Sequence, residues 1–551
     1  MTELLRAAGA VEPFTADERA RLAPFFSDLD GQVFALTNLP ETVKGALFAR
    51  YSRSGKSLRR LFLDEFAGKV TPESPARPGS AEESVAVERA ERLYARVFSD
   101  YGDDSVAQLG GAHIACELVS NVLTKVLEWG RLMSYLEQST RYVPYTERRH
   151  DRWRYHVPAE IGAGALHDRY VRTMDAAFAC YAEWIPRMQA YFEARHPRGP
   201  ADSEAVHRAA IRAKALDTLR GLLPAATQSN VGLYGSGQAF ESLLLRMRAH
   251  PLLEVRECAA DMLRELRKVI PAFLTRVDQP DRGGRWSEYL GAARDSVGEV
   301  ASALLAGIEA EPRDEVTLTA FDPDGEINVV AAALYACSAL PDDQLMAVAR
   351  RMSADDRARV LRAYVGERGN RRHRPGRAFE RTSYRFDVLT DYGAFRDLQR
   401  HRLLTLEWQP LTTRHGYTEP AALVEAGGRG AWQQVMDSSA ALHEALRAAG
   451  HDGAAPYAVA MAYRVRFYMD MNAREAMHVI ELRSAPQGHP AYRRVCQRMH
   501  TLIAEQAGHR AVAEAMRFAD HSEVALERLN AERALEARRA RQAADSTPPQ
   551  S

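Results

Sequence analysis

A chain of 551 residues, 46% apolar and 26% charged, is too long for one compact core and has an ordinary globular balance. Lysine plus arginine equals aspartate plus glutamate at 73 each, which excludes a global field that would attract nucleic acid or anionic lipid. No apolar run approaches the ~20 residues of a membrane helix, and the N-terminus lacks a basic stretch followed by an apolar one, so a cytoplasmic protein is expected.

In chain order, apolar residues at three- and four-residue steps predict helices at 41–66 and 86–98, separated by a Pro- and Ser-rich linker at 74–84. A long helical stretch follows at 242–277. A break near 309–325 divides two helix-rich halves and contains a strand at 315–321. Further strands are predicted in the 381–390 region and at 457–471, then helix over 504–542 and a disordered tail at 544–551. The expected class is α+β, each half a small sheet packed with long helices. The expected domains are 1–310 with a helical N-terminal extension, 311–530, and a charged helical end with its tail at 531–551. Cys116, Cys180, Cys258, Cys337 and Cys496 form no CxxC pair, which argues against zinc and against a disulfide framework. No metal is expected.

The halves read as diverged copies of one unit. The first contains VSNVLTKVLEWGRLMSYLEQSTRYVPY and later GSGQAFESLLLR; the second contains DYGAFRDLQRHRLLTLEWQPLTTRHGY and later NAREAMHVIELR. On this reading Arg131 matches Arg402, and Arg246 matches Arg483.

Three groups of residues carry chemistry. Arg400-His401-Arg402 puts two planar guanidiniums and an imidazole at a helix end, suited to phosphate or ring carbonyl oxygens. Alone, the tripeptide is a weak signal and a solvated basic surface explains it better. Ser134, Glu137, Gln138, Ser139, Arg141 and Tyr142 offer hydroxyls, one guanidinium and one phenol, enough to hold a nucleotide monophosphate or simply to satisfy a loop. Asn472 precedes a helical run in which Arg474 and His478 share a face at i, i+4, with Arg483 at its end. Asn472 either caps that helix or reaches a ligand.

Together these groups resemble the flavin-dependent thymidylate synthases. That family carries an Arg-His-Arg tripeptide, then a serine and an Arg-Tyr pair, and later an Asn-x-Arg start to a helix ending in Leu-Arg. Arg400-His401-Arg402, Asn472, Arg474, His478 and Arg483 match in the second half. In the first half Arg131 aligns with the last arginine of the tripeptide, Ser139 with the serine, and Arg141-Tyr142 with the pair. Ser105 falls on a flavin-contacting serine. The departures are complementary: Trp129-Gly130 stand in the first tripeptide, Gly235-Ser236-Gly237 replace the first Asn-x-Arg, and Pro410 replaces the second serine. Segment 374–386 sits where a first flavin-contacting stretch belongs, without a clear register.

The resemblance implies reductive methylation of dUMP to dTMP, with FAD as cofactor and NADPH and methylenetetrahydrofolate as cosubstrates. It implies flavin held by Arg400, His401, Arg402, Asn472, Arg474, His478 and Ser105. The nucleotide would be held by Ser139, Arg141, Tyr142, Arg131 and Glu137, with Arg483 and Arg246 facing the pyrimidine. Because family members are homotetramers with shared sites, a homodimer forming a pseudo-tetramer is expected. The alternative is a degenerate paralogue that binds flavin or nucleotide without turnover, as a regulator or scaffold. RNA binding through the Arg-rich stretches 368–377 and 536–542 is opposed by zero net charge.

Overall fold

The structure is a computed structural model, and it describes residues 12–51, 54–67, 108–148 and 151–545. The linker at 74–84, the predicted helix at 86–98, Ser105 and the tail from 546 lie outside the described residues.

The described strands are β1 (Gly111–Ser120), β2 (Met133–Glu137), β3 (Gln228–Ser236), β4 (Val316–Phe321), β5 (Ser383–Asp391), β6 (Thr405–Trp408) and β7 (Arg464–Asn472). They form two sheets, ordered β1-β3-β2 and β4-β5-β7-β6. Without the edge strand β4, the second order repeats the first. Long helices pack with both sheets, and the class is α+β, as the sequence predicts.

One local device recurs. Four strands run straight into helices, and at each junction a short polar side chain accepts a hydrogen bond from the N–H three residues on. Ser120 caps Asn121–Leu127 (3.0 Å), Ser236 caps Gly237–Arg248 (3.3 Å), Asp391 caps Tyr392–Leu398 (2.8 Å) and Asn472 caps Ala473–Arg483 (2.9 Å). Each satisfies a backbone donor that a helix start leaves open. β5 and β7 pair antiparallel, with Ser383 opposite Asn472 and Asp391 opposite Arg464, so the two helices of the second copy leave from opposite ends of the sheet. Alternation sets the buried face: Tyr384, Phe386 and Val388 lie opposite Met471, Met469 and Phe467, all buried.

By its internal contacts the chain forms two compact units that interleave in sequence. One comprises Met1–Cys116, Leu132–Leu136 and Val231–Gly307; the other comprises Glu117–Arg131, Glu137–Asn230 and Ile308–Ser551. In the first unit Gly237 opens its helix because nothing larger fits. A Cβ there would lie 2.5 Å from the Cβ of Phe273. An aromatic ring thus packs where the second copy carries its Asn-x-Arg start.

Several predicted elements are shorter than periodicity suggests. The 242–277 stretch is two helices, ending at Arg248 and starting again at Leu253 around Pro251, followed by a 3-10 turn at Pro271–Leu274. The 41–66 stretch is likewise two helices, Glu41–Tyr51 and Leu58–Glu65. The 457–471 strand begins only at Arg464, because Pro456 belongs to a 3-10 turn, Ala455–Ala458. The 504–542 helix is broken. Gly508 adopts φ +72°, and only Arg510–Ala515 and Leu529–Asp545 are helical beyond it. No helix among the described residues is long and apolar enough to cross a membrane.

Candidate functional site

The predicted residues that meet one another lie in the second unit. Helix Tyr392–Leu398 carries Arg396 and Asp397, with Arg400 just past its end. Glu137, the last residue of β2, is fully buried against them. It accepts from Arg396 Nη2 at 2.7 Å and from Arg400 Nη1 at 3.4 Å, and Lys125 Nζ stands 3.3 Å away. Burial alone would raise the Glu137 pKa; the charges of Arg396, Lys125 and Arg400 overcome it and hold the carboxyl at about 2. Asp397 collects Arg400, Arg220 (3.2 Å) and Arg483 (3.9 Å). It too lies well below the carboxylate range, those guanidiniums outweighing its burial. Lys125 also pairs with Glu128 at 2.6 Å. The ion pairs link five cations, Lys125, Arg220, Arg396, Arg400 and Arg483, to three carboxyls, Glu128, Glu137 and Asp397, and Arg220 also acts on Asp391 and Asp217. Desolvation pushes Glu128 toward its neutral form.

The Ser139–Arg141 loop closes the other side. Ser139 Oγ accepts from the Arg141 N–H at 3.2 Å. Arg141 makes a two-pronged bond to Asp217, both arms 2.7 Å, and donates to the Tyr492 hydroxyl at 2.7 Å. The cleft between these groups is lined by Glu137, Ser139, Arg141, Arg220, Arg396 and Arg400, and its volume of ≈ 20 Å³ is room for about one water. The structure does not bring Arg131 or Tyr142 there. Arg131 donates to Thr405 on β6 at 3.0 Å, and Tyr142 is 53% exposed beneath the Arg528 guanidinium.

Past Arg400, the remaining second-copy residues cluster around a buried imidazole. Arg483 Nε donates to His401 Nε2 at 2.9 Å, which leaves Nδ1–H of His401 directed toward Glu475, 3.7 Å away. Burial, then Arg483 and His478, push the His401 pKa well below its ordinary value. Burial raises Glu475 to about 7. His478 Nδ1 accepts from Arg374 at 2.8 Å, and burial with Arg374 lowers it to about 4. Arg474 Nε donates to the Pro375 carbonyl (2.9 Å), and Asn472 is occupied as the cap. The ligand atoms of His401, Glu475 and His478 lie within 4.8 Å of one another, a spacing a metal ion accepts. One ring nitrogen of each histidine is already bonded to a guanidinium, however, and the surrounding arginines oppose a cation.

Arg246 lies in the first unit, where burial lowers its pKa. It sits ten residues beyond its cap Ser236, whereas Arg483 sits eleven beyond Asn472. Counted from the caps, the two arginines therefore point from different helix faces.

The family described as thymidylate synthase complementing protein matches residues 61–272 and again 317–508, together well over half of the chain. The chain belongs to that family, as two tandem copies. A "UPF0159 protein" of Chlamydia muridarum is 37% identical over 527 residues, covering 94% of this chain and 98% of that one. A UPF0159 protein of Thermoplasma acidophilum is 29% identical and covers 89% and 97%. A "Flavin-dependent thymidylate synthase" of Mycobacterium sp. (strain KMS) is 30% identical over 213 residues, which is 38% of this chain and 77% of that protein. The thymidylate synthase complementing family thus appears here doubled, and the two UPF0159 proteins align along nearly the whole of both chains.

Sequence reasoning missed Arg220, Arg396, Asp397, Asp217 and Arg374. Arg396 stands four residues before Arg400, so a helical-face count would have found it. Arg374 lies in the stretch left without a register. Arg220 and Asp217 carry no local signal, since their meaning arises only from partners far along the chain.

Proposed function

We propose that the chain is a flavin-dependent thymidylate synthase-type enzyme converting dUMP to dTMP. One observation carries the reading: residues of the first copy (Glu137, Ser139, Arg141, Arg220) and of the second (Arg396, Arg400) line one cleft. The ion pairs around it join five cations to three carboxyls, one of which, Glu128, burial pushes toward its neutral form. A phosphate monoester carries about −1.5 to −2 at neutral pH, the sign such a cationic surround favours. Its arrival must open the small cleft and displace an internal pair, Arg141–Asp217 being the one closest to the Ser139 hydroxyl in sequence.

The second-copy cluster suits a diphosphate-bearing cofactor. Arg374, Arg402 and Arg474 all act on Glu475, a carboxyl that burial raises, so the patch is cationic. FAD would be held by Arg400, His401, Arg402, Asn472, Arg474 and His478. When bound, flavin supplies hydride transfer, the chemistry side chains lack. The overall balance consumes dUMP, methylenetetrahydrofolate, NADPH and a proton. The methylene carbon bonds to C5 of the pyrimidine and is reduced to methyl by the hydride of NADPH. The C5 hydrogen leaves to solvent, and tetrahydrofolate and NADP⁺ are released.

Arg483 is the residue placed to answer charge on the pyrimidine. It is half-buried and donates to His401, and a preorganised donor of this kind stabilises developing charge by ~3–4 kcal/mol. Arg246, on a different helix face in the first unit, is not given that task. The reading extends to copies bounded at 1–310 and 311–530, a cytoplasmic setting, and a homodimer of four domains.

The test is the absorption spectrum of the isolated protein, followed by dUMP titration and NADPH-dependent release of tritium from C5-labelled dUMP. A colourless protein that ignores dUMP would sink the proposal. The internal neutralisation of Arg141 favours one rival, a non-catalytic nucleotide-binding paralogue. Binding of dUMP without tritium release would identify it.

A further inference from the structure

Of the 20 residues in helix Arg285–Leu304, which belongs to the first unit, Ser287 alone is buried. The helix is held along one side. Ser287 Oγ donates to the Leu245 carbonyl at 3.3 Å, and Arg294, one heptad further on, donates to the Ala249 carbonyl. Both acceptors lie at the end of helix Gly237–Arg248.

About 100° around the axis from that side run Trp286, Tyr289, Ala293, Val297, Val300 and Leu304, at three- and four-residue steps. All six are exposed, the five large ones over more than half of their surface. This spacing gathers them into one stripe, ~80° wide, that carries no charge. An amphipathic helix ordinarily turns such a stripe toward a core; here it faces outward. The stripe presents on the order of 600 Å² per copy, as much as the largest apolar patch of a typical monomer.

The stripe is close to symmetric about the middle of the helix. A second copy turned end over end sets Trp286 against Leu304, Tyr289 against Val300 and Ala293 against Val297. Each large ring then meets a smaller side chain, whereas a parallel pair would stack Trp286 on itself. Identical chains supply the two-fold axis that this match needs. Two stripes together remove on the order of 1,200 Å² from water, the lower edge of stable interfaces. The polar side opposes a lipid surface as occupant. Glu288, Asp295 and Glu299 lie there, Arg294 is paired with Asp295 at 2.8 Å, and interfacial helices instead carry a Lys- and Arg-rich face.

We infer that helix Arg285–Leu304 pairs antiparallel with the same helix of a second copy of this chain. The surface lies apart from the nucleotide cleft, which draws no lining residue from this helix, and it stands whether or not the enzymatic reading holds.

The experiment is sedimentation velocity of the full-length chain at micromolar concentration. Val297→Glu and Val297→Lys each put a charge into the stripe beside the two-fold axis, and each alone should sediment at half the wild-type mass. Mixed in equal amounts, the two should recover the wild-type mass and lose it again at high salt. Ser302→Glu, exposed on the far side of the helix, should sediment like wild type. Because position 297 is exposed, the urea midpoint of its variants should stay near that of wild type. The inference is overturned if wild type and Val297→Glu have equal mass, or if the mixture of charged variants stays at half mass. Equal masses with a lowered urea midpoint for Val297→Glu would put a segment of the same chain on the stripe. Flotation of wild type, but not of Val297→Glu, with phosphatidylcholine vesicles would put lipid there. Either result also overturns it.

Discussion

Glu475 sits 4% exposed among arginines yet titrates near 7, because burial outweighs their pull. Its folded pKa lies above the ordinary 4.5, so the stability it contributes is complete below about pH 4.5 and is lost as pH rises through 7. Unfolding in urea at pH 4.5 and 7.5 should show wild type losing ~3 kcal/mol more than Glu475→Gln across that interval. Arg141 presents the opposite problem. Its removal strands Asp217, a buried carboxylate whose low pKa depends on that partner, and should cost ~3–5 kcal/mol. Adding Asp217→Asn to Arg141→Ala should recover most of that loss in urea, while calorimetry shows dUMP affinity still reduced at least tenfold. Arg402→Ala is a cleaner change. The side chain is exposed, so flavin absorbance should fall while the unfolding midpoint stays within experimental scatter. If instead the Arg141 variants bleach the protein and Arg402→Ala does not, the division of ligands between the copies is reversed.

Among elements, the strand-into-helix junctions decide where functional side chains start. Asn472→Ala removes a cap and should cost ~1 kcal/mol, read as a lower thermal midpoint. Gly237→Ala should cost about 1–3 kcal/mol, because a Cβ would meet Phe273 at 2.5 Å. The junctions also explain what the sequence made legible. β5 and β7 alternate buried and more exposed residues so regularly that these two strands were readable, as was the helix behind Asn472, whereas the four-residue β6 was not read. β2 was not, since its five residues MSYLE alternate weakly and read as part of a hydroxyl-rich loop. β1 and β3 were hidden by polar residues within them, and the helices around Pro251 and Gly508 were read too long, because periodicity outweighed the breakers. In the site, the motif residues could be named in advance. The ion pairs could not: Glu137 meets Arg396 across 259 positions and Arg141 meets Tyr492 across 351, distances over which a single sequence carries no pairing signal.

At the scale of the molecule, the second unit draws on both copies. A fragment beginning at 311 keeps Arg396, Arg400 and Arg483 but loses Glu137, leaving buried guanidiniums without their central carboxylate. Expressed alone it should aggregate or unfold at least as easily as a buried-pair knockout and show no dUMP binding in calorimetry. Supplying 1–310 in the same cell should restore soluble protein.

Because Glu137, Arg141, Arg220, Arg396 and Arg400 all belong to one polypeptide and one folded unit, this pocket has no genetic partner. In an oligomer of single-domain subunits, two different null alleles can rescue each other by mixing. Here a chain carrying Arg141→Ala and a chain carrying Arg396→Ala each spoil their own pocket. Mixed oligomers of the two should regain none of it, so each copy of the gene must encode the pocket whole.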